Sequence, residues 1–126
     1  MFLKYITPAL FWIILMTFLF LIPGDALPDA TNWDFLMLDK LVHFGLFAVL
    51  VFLLIWGFAK QKKYNHLRKQ PFQISLFIGF MYAITSEFLQ QLSISRAFEW
   101  QDMAANILGC IGGSLAFYGL NKFNSK

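Results

Sequence analysis

Four apolar runs dominate the sequence, and their length limits what the chain can fold into. They cover residues 5–22, 39–59, 71–91 and 102–121. Each run has about the 20 residues that an α-helix needs to cross ~30 Å of hydrocarbon. In lipid the backbone must satisfy its own hydrogen bonds, so such runs form helices. Because the polar breaks between them are short, neighbouring helices are expected to be antiparallel.

The composition favours a membrane protein over a soluble one. Of the 126 residues, 59% are hydrophobic and only 13% are charged. A soluble domain of this size has too little interior to bury so much apolar surface. We therefore predict an all-α integral membrane protein in which residues 1–126 form one four-transmembrane-helix bundle. A soluble helical protein is the alternative for the whole chain, and a signal peptide cleaved near Gly24-Asp25-Ala26 is the alternative for the first run.

Charged residues divide between the two ends of the predicted bundle. The break after the second run, KQKKYNHLRKQ, carries five basic residues, and Lys4, Lys122 and Lys126 fall on the same side. An excess of Lys and Arg marks the cytoplasmic face, so both termini and this loop are predicted to be cytoplasmic. All seven acidic residues fall toward the other face. The basic loop either only sets the topology or also attracts anionic lipid. Because its cations lie in one short segment beside the membrane, no nucleic-acid partner is expected.

Polar residues collect at the predicted outer end of three helices. Pairs such as Asp39/His43 and Asp102/Asn106 have the spacing that places both members on one helix face. The second member of each pair lies about 6 Å deeper along its helix. Ionisable residues inside a span usually face the bundle interior or a wet cavity. We therefore predict one polar pocket for ligand binding, formed by Asp39, Lys40, His43, Glu87, Gln90, Arg96, Asp102 and Asn106.

Small residues on the last helix support this inward orientation. Ala105, Gly109 and Gly113 follow a small-xxx-small pattern, which lets membrane helices approach closely. Asp102 and Asn106 fall on nearly the same face. The alternative is that the glycines form a homodimer contact, so a homo-oligomer stays open.

Other residues also have more than one interpretation. Asp39 and Asp102, at the predicted helix starts, have the alternative role of N-caps. Arg96 either clamps a carboxylate or an anionic ligand, or only lies at the surface. The single cysteine, Cys110, lies inside the fourth run and is interpreted as a buried, inert residue.

The same polar residues carry a resemblance to a known family. The sequence contains D-K-x-x-H-F at 39–44, and E-x-x-Q at 87–90, an arginine at 96, and D-x-x-x-N-x-x-G-x-x-x-G at 102–113. With these motifs together, the chain resembles the VanZ-like family of small bacterial membrane proteins. The proline-containing loop LIPGDALP also resembles the corresponding loop of that family. Many relatives have Pro-Gly just before the arginine, whereas this chain has Ile94-Ser95.

The resemblance implies a multi-pass protein of the bacterial cytoplasmic membrane with an outward-facing site. The family's namesake is similar to an accessory factor that lowers susceptibility to teicoplanin-type glycopeptide antibiotics. The expected function is therefore to bind a lipid-linked cell-envelope precursor or an amphiphilic glycopeptide, with an effect on antibiotic resistance.

Two other functions stay open. One is a membrane-embedded hydrolase or transferase acting on a lipid-linked substrate through an acid–base pair or a divalent cation. The other is a structural network that locks the helices together. No recognised nucleophile or metal-spacing motif is present, so the sequence assigns no catalytic residue, no metal ligand and no cofactor. Membrane lipids are the expected partners.

Overall fold

The structure, a computed structural model, describes residues 2–20, 33–91 and 100–124, and the side chains of residues 2–19, 40–89 and 100–121. These residues form five helices and, within the described ranges, no strand. The helices are α1 (Phe2–Phe20), α2 (Trp33–Lys60), α3 (Asn65–Lys69), α4 (Pro71–Gln91) and α5 (Trp100–Asn124). Four of them, all but α3, are long and apolar enough to cross a membrane. The predicted all-α architecture with four membrane-spanning helices is confirmed.

The bounds of the long helices differ from the predicted ones mainly at α2. α4 has the predicted ends, and α5 begins two residues early at Trp100, whereas α2 begins at Trp33 instead of residue 39. With 28 residues, α2 is about 42 Å long and exceeds the ~30 Å hydrocarbon core. Its first turns therefore extend beyond the hydrocarbon, or the helix tilts. Asp39 lies inside the helix, so the N-cap interpretation of this residue is wrong.

The loop between α2 and α4 is more ordered than its basic composition indicates. It contains the short helix α3, which the sequence analysis missed because a run of five residues has no hydrophobic periodicity to detect. The buried side chain of Gln61 donates to the carbonyls of Phe58 and Tyr64, at 3.1 and 2.8 Å, and accepts from the Tyr64 amide at 2.8 Å. These bonds satisfy backbone groups where α2 ends. His66, in the same loop, is exposed.

Helix α2 is the centre of the bundle and packs against α1, α4 and α5, most extensively against α5. Helices α2 and α5 run in the same direction, and glycine lets their backbones meet. A Cβ added at Gly109 would overlap the carbonyl oxygen of Phe44, and one added at Gly113 would overlap that of Ala48. Both glycines therefore serve packing within the chain, which is how small residues act in membrane bundles. These contacts favour packing within the chain over the homodimer alternative, and a homo-oligomer stays a prediction.

Helices α1 and α4 run antiparallel to α2 and are tied to the bundle by polar contacts. Trp12 Nε1 on α1 donates to the carbonyl of Leu46 at 2.9 Å. The hydroxyl groups of Thr17 on α1 and Tyr82 on α4 share a hydrogen bond of 2.5 Å. Tyr82 also stacks at a tilt against Phe47, with 5.7 Å between ring centroids. Groups of this kind are rarely left exposed to lipid, so these contacts fix which faces of α1 and α4 turn inward.

The distribution of apolar and polar side chains is the reverse of that in a soluble protein. Large apolar side chains cover the outside, for example Phe11, Ile14 and Phe18 on α1, which are 66–71% exposed. Meanwhile several polar or ionisable side chains are buried in the interior. An exposed apolar surface of this extent requires a lipid environment. The chain is a multi-pass membrane protein.

The basic residues among the described side chains lie mostly at one end of the bundle. Lys4 begins α1, and five more basic residues lie between Lys60 and Lys69, where α2 ends and α4 begins. The ends of α2, α4 and α5 that carry the predicted pocket residues lie at the opposite end. This separation favours the predicted cytoplasmic placement of the basic end.

Candidate functional site

A set of five polar side chains from three helices meets at one end of the bundle, and we call it the polar cluster. Helix α2 provides two of them in its second and third turns, α4 provides one just before its last turn, and α5 provides two in its first two turns. The members are Lys40, His43, Glu87, Asp102 and Asn106. All except Lys40 are buried. The cluster exists because α2 and α5 start, and α4 ends, at the same end of the bundle.

Lys40 and Asp102 form an ion pair that joins α2 to α5. The Lys40 side chain is 29% exposed and the Asp102 side chain 7% exposed, so the ammonium group lies at the edge of the cluster and the carboxylate beneath it. Asp102 is in the first turn of α5. There the carboxylate also interacts favourably with the positive end of the helix dipole, so part of the capping interpretation of Asp102 is retained.

Asn106 joins the other two helices through its amide group. Its Nδ2 donates to Glu87 Oε1 at 3.4 Å, and its Oδ1 lies 2.8 Å from His43 Nδ1. A carboxylate only accepts hydrogen bonds, so the NH₂ group of the amide must face Glu87. The amide oxygen then faces the ring, and Nδ1 must be the donor. Glu87 thus sets the orientation of Asn106, which in turn sets the tautomer of His43.

The second ring nitrogen of His43 points toward the ion pair. His43 Nε2 lies 3.9 Å from Asp102 Oδ2, which is longer than a hydrogen bond. Three residues each place one potential metal-binding atom within 4.8 Å of the other two, namely His43, Glu87 and Asp102. Each of the three residues is buried. This arrangement is the most concentrated set of ionisable groups among the described residues.

Burial makes it costly to keep the carboxylates of the polar cluster ionised. An ionised carboxylate loses several kcal/mol of hydration on entering a low-dielectric interior, and only charges and hydrogen bonds nearby offset that loss. Glu87 is 0% exposed and Asp102 5%. Lys40 contributes the positive charge beside Asp102, while Asn106 provides a donor to Glu87. Two carboxylates this close together are stabilised by positive charge beside them.

The structure therefore brings together five of the eight residues that the sequence analysis assigned to one pocket. The side chains of Asp39 and Gln90 and the whole of Arg96 lie outside the described part of the chain, as does the loop LIPGDALP. Of the predicted packing residues, Ala105 is buried, and Gly109 and Gly113 lie against α2. The role of the cluster in binding stays a prediction.

The structure shows one hydrogen-bonded pair that the sequence did not indicate. Thr17 and Tyr82 were part of apolar runs, so nothing marked them as partners. A divalent cation at the polar residues was an open alternative from the sequence, but the atoms that would hold it could not be named, because His43, Glu87 and Asp102 come from three helices and have no ligand spacing along the sequence. Only the relative position of the helices reveals those atoms.

Comparison with known proteins identifies the family of the chain. The family model VanZ/LLP1 matches residues 2–121, which is nearly the whole chain. The chain belongs to the VanZ/LLP1 family. The expectation from the two motifs is thus confirmed at the level of the family.

A curated protein from a yeast is similar to most of the chain. An uncharacterized protein of Schizosaccharomyces pombe is 30% identical to the chain over 103 residues, which are 81% of this chain and 56% of that protein. The chain therefore spans little more than half the length of this relative. Solved structures include no significant match to the chain.

Proposed function

We propose that this VanZ/LLP1-family protein binds the polar headgroup of an anionic, lipid-anchored amphiphile at the outward-facing end of its bundle. The observation that carries the proposal is the polar cluster itself, with Lys40 at its edge and ionisable groups from three helices beneath. A membrane helix gains nothing from carrying such groups unless they serve a site or a contact. The bacterial cytoplasmic membrane is the expected location.

The position of the cluster suits an amphiphile. Lys40 is the first residue of the apolar segment of α2, and Asp102 is in the first turn of α5. The cluster therefore lies near the depth of lipid headgroups. A ligand whose headgroup contacts Lys40 keeps its tail beside the exposed apolar residues of α2 and α5, such as Leu41 and Leu108. Lysine is a common point-charge partner for phosphate groups.

Lipid-linked precursors of the bacterial cell envelope are the first candidates, because they combine a long apolar tail with a phosphate-containing headgroup. A lipid-tailed glycopeptide of the teicoplanin type is the second, and binding of either would affect antibiotic susceptibility. The relative in a yeast favours chemistry that bacteria and yeasts share, namely an anionic headgroup on a lipid tail. We therefore name the ligand by that chemistry.

Binding to purified protein in nanodiscs tests the proposal. The probes are undecaprenyl phosphate, phosphatidylglycerol and teicoplanin, each measured by native mass spectrometry and by titration. Lys40→Gln should weaken binding of the anionic probe about tenfold, equivalent to ~1.4 kcal/mol, because one charged contact is lost. Lys40→Arg should retain most of the affinity. Lys63→Gln, an exposed lysine at the opposite end, is the matched control and should bind like the wild type.

Equal binding by Lys40→Gln and Lys63→Gln would contradict the proposal. Because Lys40 pairs with Asp102, each variant is first compared with the wild type by thermal melting. The affinity comparison is made at a temperature where both are folded.

A structural role is the second candidate, and burial favours it. Glu87 and Asn106 are both 0% exposed, and they bond to each other and to His43 across three helices. Buried polar networks specify one arrangement of helices more than they add stability. If the network is only structural, Glu87→Gln should lower the melting temperature in detergent without changing the affinity for any probe. A folded variant with reduced binding would instead favour the binding role.

A further inference from the structure

We propose that the polar cluster binds one divalent transition-metal ion, Zn²⁺ or Mn²⁺, through His43 Nε2 and the carboxylates of Asp102 and Glu87. This inference deepens the proposed function and rests on it for the role of the ion, which is to help hold an anionic headgroup. The binding of the ion itself follows from the geometry of the three side chains.

The distances between the donor atoms are close to those of a metal site. One donor atom from each of the three residues lies within 4.8 Å of the others. Metal–ligand distances of ~2.0–2.2 Å place donor atoms of one Zn²⁺ ion roughly 3–3.5 Å apart. The three side chains thus need to close by about 1.5 Å or less, which is within the range of small rotamer changes. The ligands also come from three different helices, so they surround a point between the helices.

The orientation of His43 also fits a metal site. Asn106 Oδ1 accepts from Nδ1, which directs Nε2 toward the carboxylate of Asp102. Nε2 and Asp102 Oδ2 lie 3.9 Å apart, so one metal ion between them would contact both atoms. In metal sites, a ligating histidine almost always donates its other N–H to an oxygen acceptor. Asn106 already provides that contact.

The set of donor atoms favours a transition metal, because one imidazole with two carboxylates suits Zn²⁺ and Mn²⁺. An ion of charge +2 would also add positive charge beside Lys40, and that charge would favour an anionic headgroup.

Metal binding is tested on the full-length protein in mild detergent, after EDTA treatment and dialysis. Titration with ZnCl₂ and with MnCl₂, followed by calorimetry and elemental analysis, should give one ion per chain. His43→Ala should bind at least tenfold more weakly. Asn106→Ala should weaken binding by about 10–100-fold, as loss of an outer hydrogen bond does in other sites. His66→Ala is the matched control, because this histidine is exposed at the other end of the chain.

A spectroscopic measurement keeps the test valid if variants of the polar cluster fail to fold. The chain has two histidines, so ¹⁵N-histidine labelling of the folded His66→Ala protein gives signals from His43 alone. Added Cd²⁺ should couple to Nε2 and not to Nδ1. Absence of that coupling, together with no more bound metal than in a matched empty-micelle sample, would overturn the metal site.

Repeating the lipid titration with and without EDTA separates the two proposals. Stoichiometric metal with EDTA-sensitive binding of undecaprenyl phosphate supports both. Stoichiometric metal without binding of any lipid probe supports the metal site and contradicts the proposed function. Lipid binding that is unchanged by EDTA, in a protein that holds no metal, overturns the inference drawn here and leaves the proposed function intact.

Discussion

Replacing Gly113 or Gly109 with alanine tests whether close approach of α2 and α5 is what positions the polar cluster. A Cβ at Gly113 would overlap the carbonyl oxygen of Ala48 and lie 2.9 Å from its carbonyl carbon and Cα. A Cβ at Gly109 would overlap the carbonyl oxygen of Phe44 and lie 3.1 Å from its carbonyl carbon and Cα. All these neighbours are backbone atoms, so no side chain can rotate away.

The expected cost follows from this geometry. The two helices must move apart by about 1 Å before ordinary van der Waals distances are restored. Insertion of one extra methyl group into a well-packed interior typically costs about 1–3 kcal/mol. Alanine recovers at most about 1 kcal/mol through its higher helix propensity. Because the overlap is with backbone atoms that cannot rotate away, the upper part of the range of about 1–3 kcal/mol applies. After the gain in helix propensity, we expect each substitution to lower the free energy of unfolding by about 1–2 kcal/mol.

Reversible unfolding in mixed detergent micelles, followed by circular dichroism, measures this change. Gly119→Ala is the matched control on the same helix, because a Cβ there would meet no atom within 4 Å. It should be neutral or slightly stabilising. Gly112→Ala should fall between, since the added Cβ meets the ring of Phe44, which is the end of a side chain.

Two results would refute the reasoning. Equal stability of Gly113→Ala and Gly119→Ala would mean that α2 and α5 are not in backbone contact. A change in oligomer mass without a change in unfolding of the monomer would assign the glycines to contact between copies.

Three further predictions concern topology and packing. In a Cys110→Ala background, a cysteine at Lys63 should react with impermeant reagent only from the cytoplasmic side, and one at Trp100 only from the outside; the reverse pattern would invert the topology. Trp12→Phe should lower the free energy of unfolding by about 0.5–1.5 kcal/mol, because its 2.9 Å hydrogen bond to a carbonyl on α2 is lost; no change in a detergent melt would contradict this. Leu50→Ala should cost about 2–5 kcal/mol, since the fully buried side chain leaves a cavity; a much smaller loss would mean that the bundle collapses around the site.

Part of the candidate site could be predicted from spacing alone. His43 lies one turn after Asp39, and Asn106 one turn after Asp102, so both depth and face follow from helical periodicity. Antiparallel connectivity then places three polar helix ends at one side. What spacing cannot give is which atoms meet, because that depends on the rotation of each helix about its axis. The bond from Asn106 to Glu87 and the tautomer of His43 became evident only from coordinates.

The extent of α2 is an instructive difference. From the sequence, this helix was predicted to begin at residue 39, because the prediction followed the apolar run that crosses the hydrocarbon. The helix begins at Trp33 because its backbone hydrogen bonds continue past the apolar segment. The alternative role of Asp39 as a helix cap is excluded as a result, because the residue lies within the helix.

The sequence by itself determined the class of the protein, the four spans and the end at which the polar residues collect. These follow from the thickness of the bilayer and from the 3.6-residue period of the helix, which act on each segment separately. Only the tertiary structure decided that α2 is central, that Gly109 and Gly113 contact α2 within the same chain, and which atoms of the imidazole and the two carboxylates face one another. Those outcomes depend on packing between segments that are distant in sequence. A local sequence pattern does not specify the rotation of one helix about its axis relative to another.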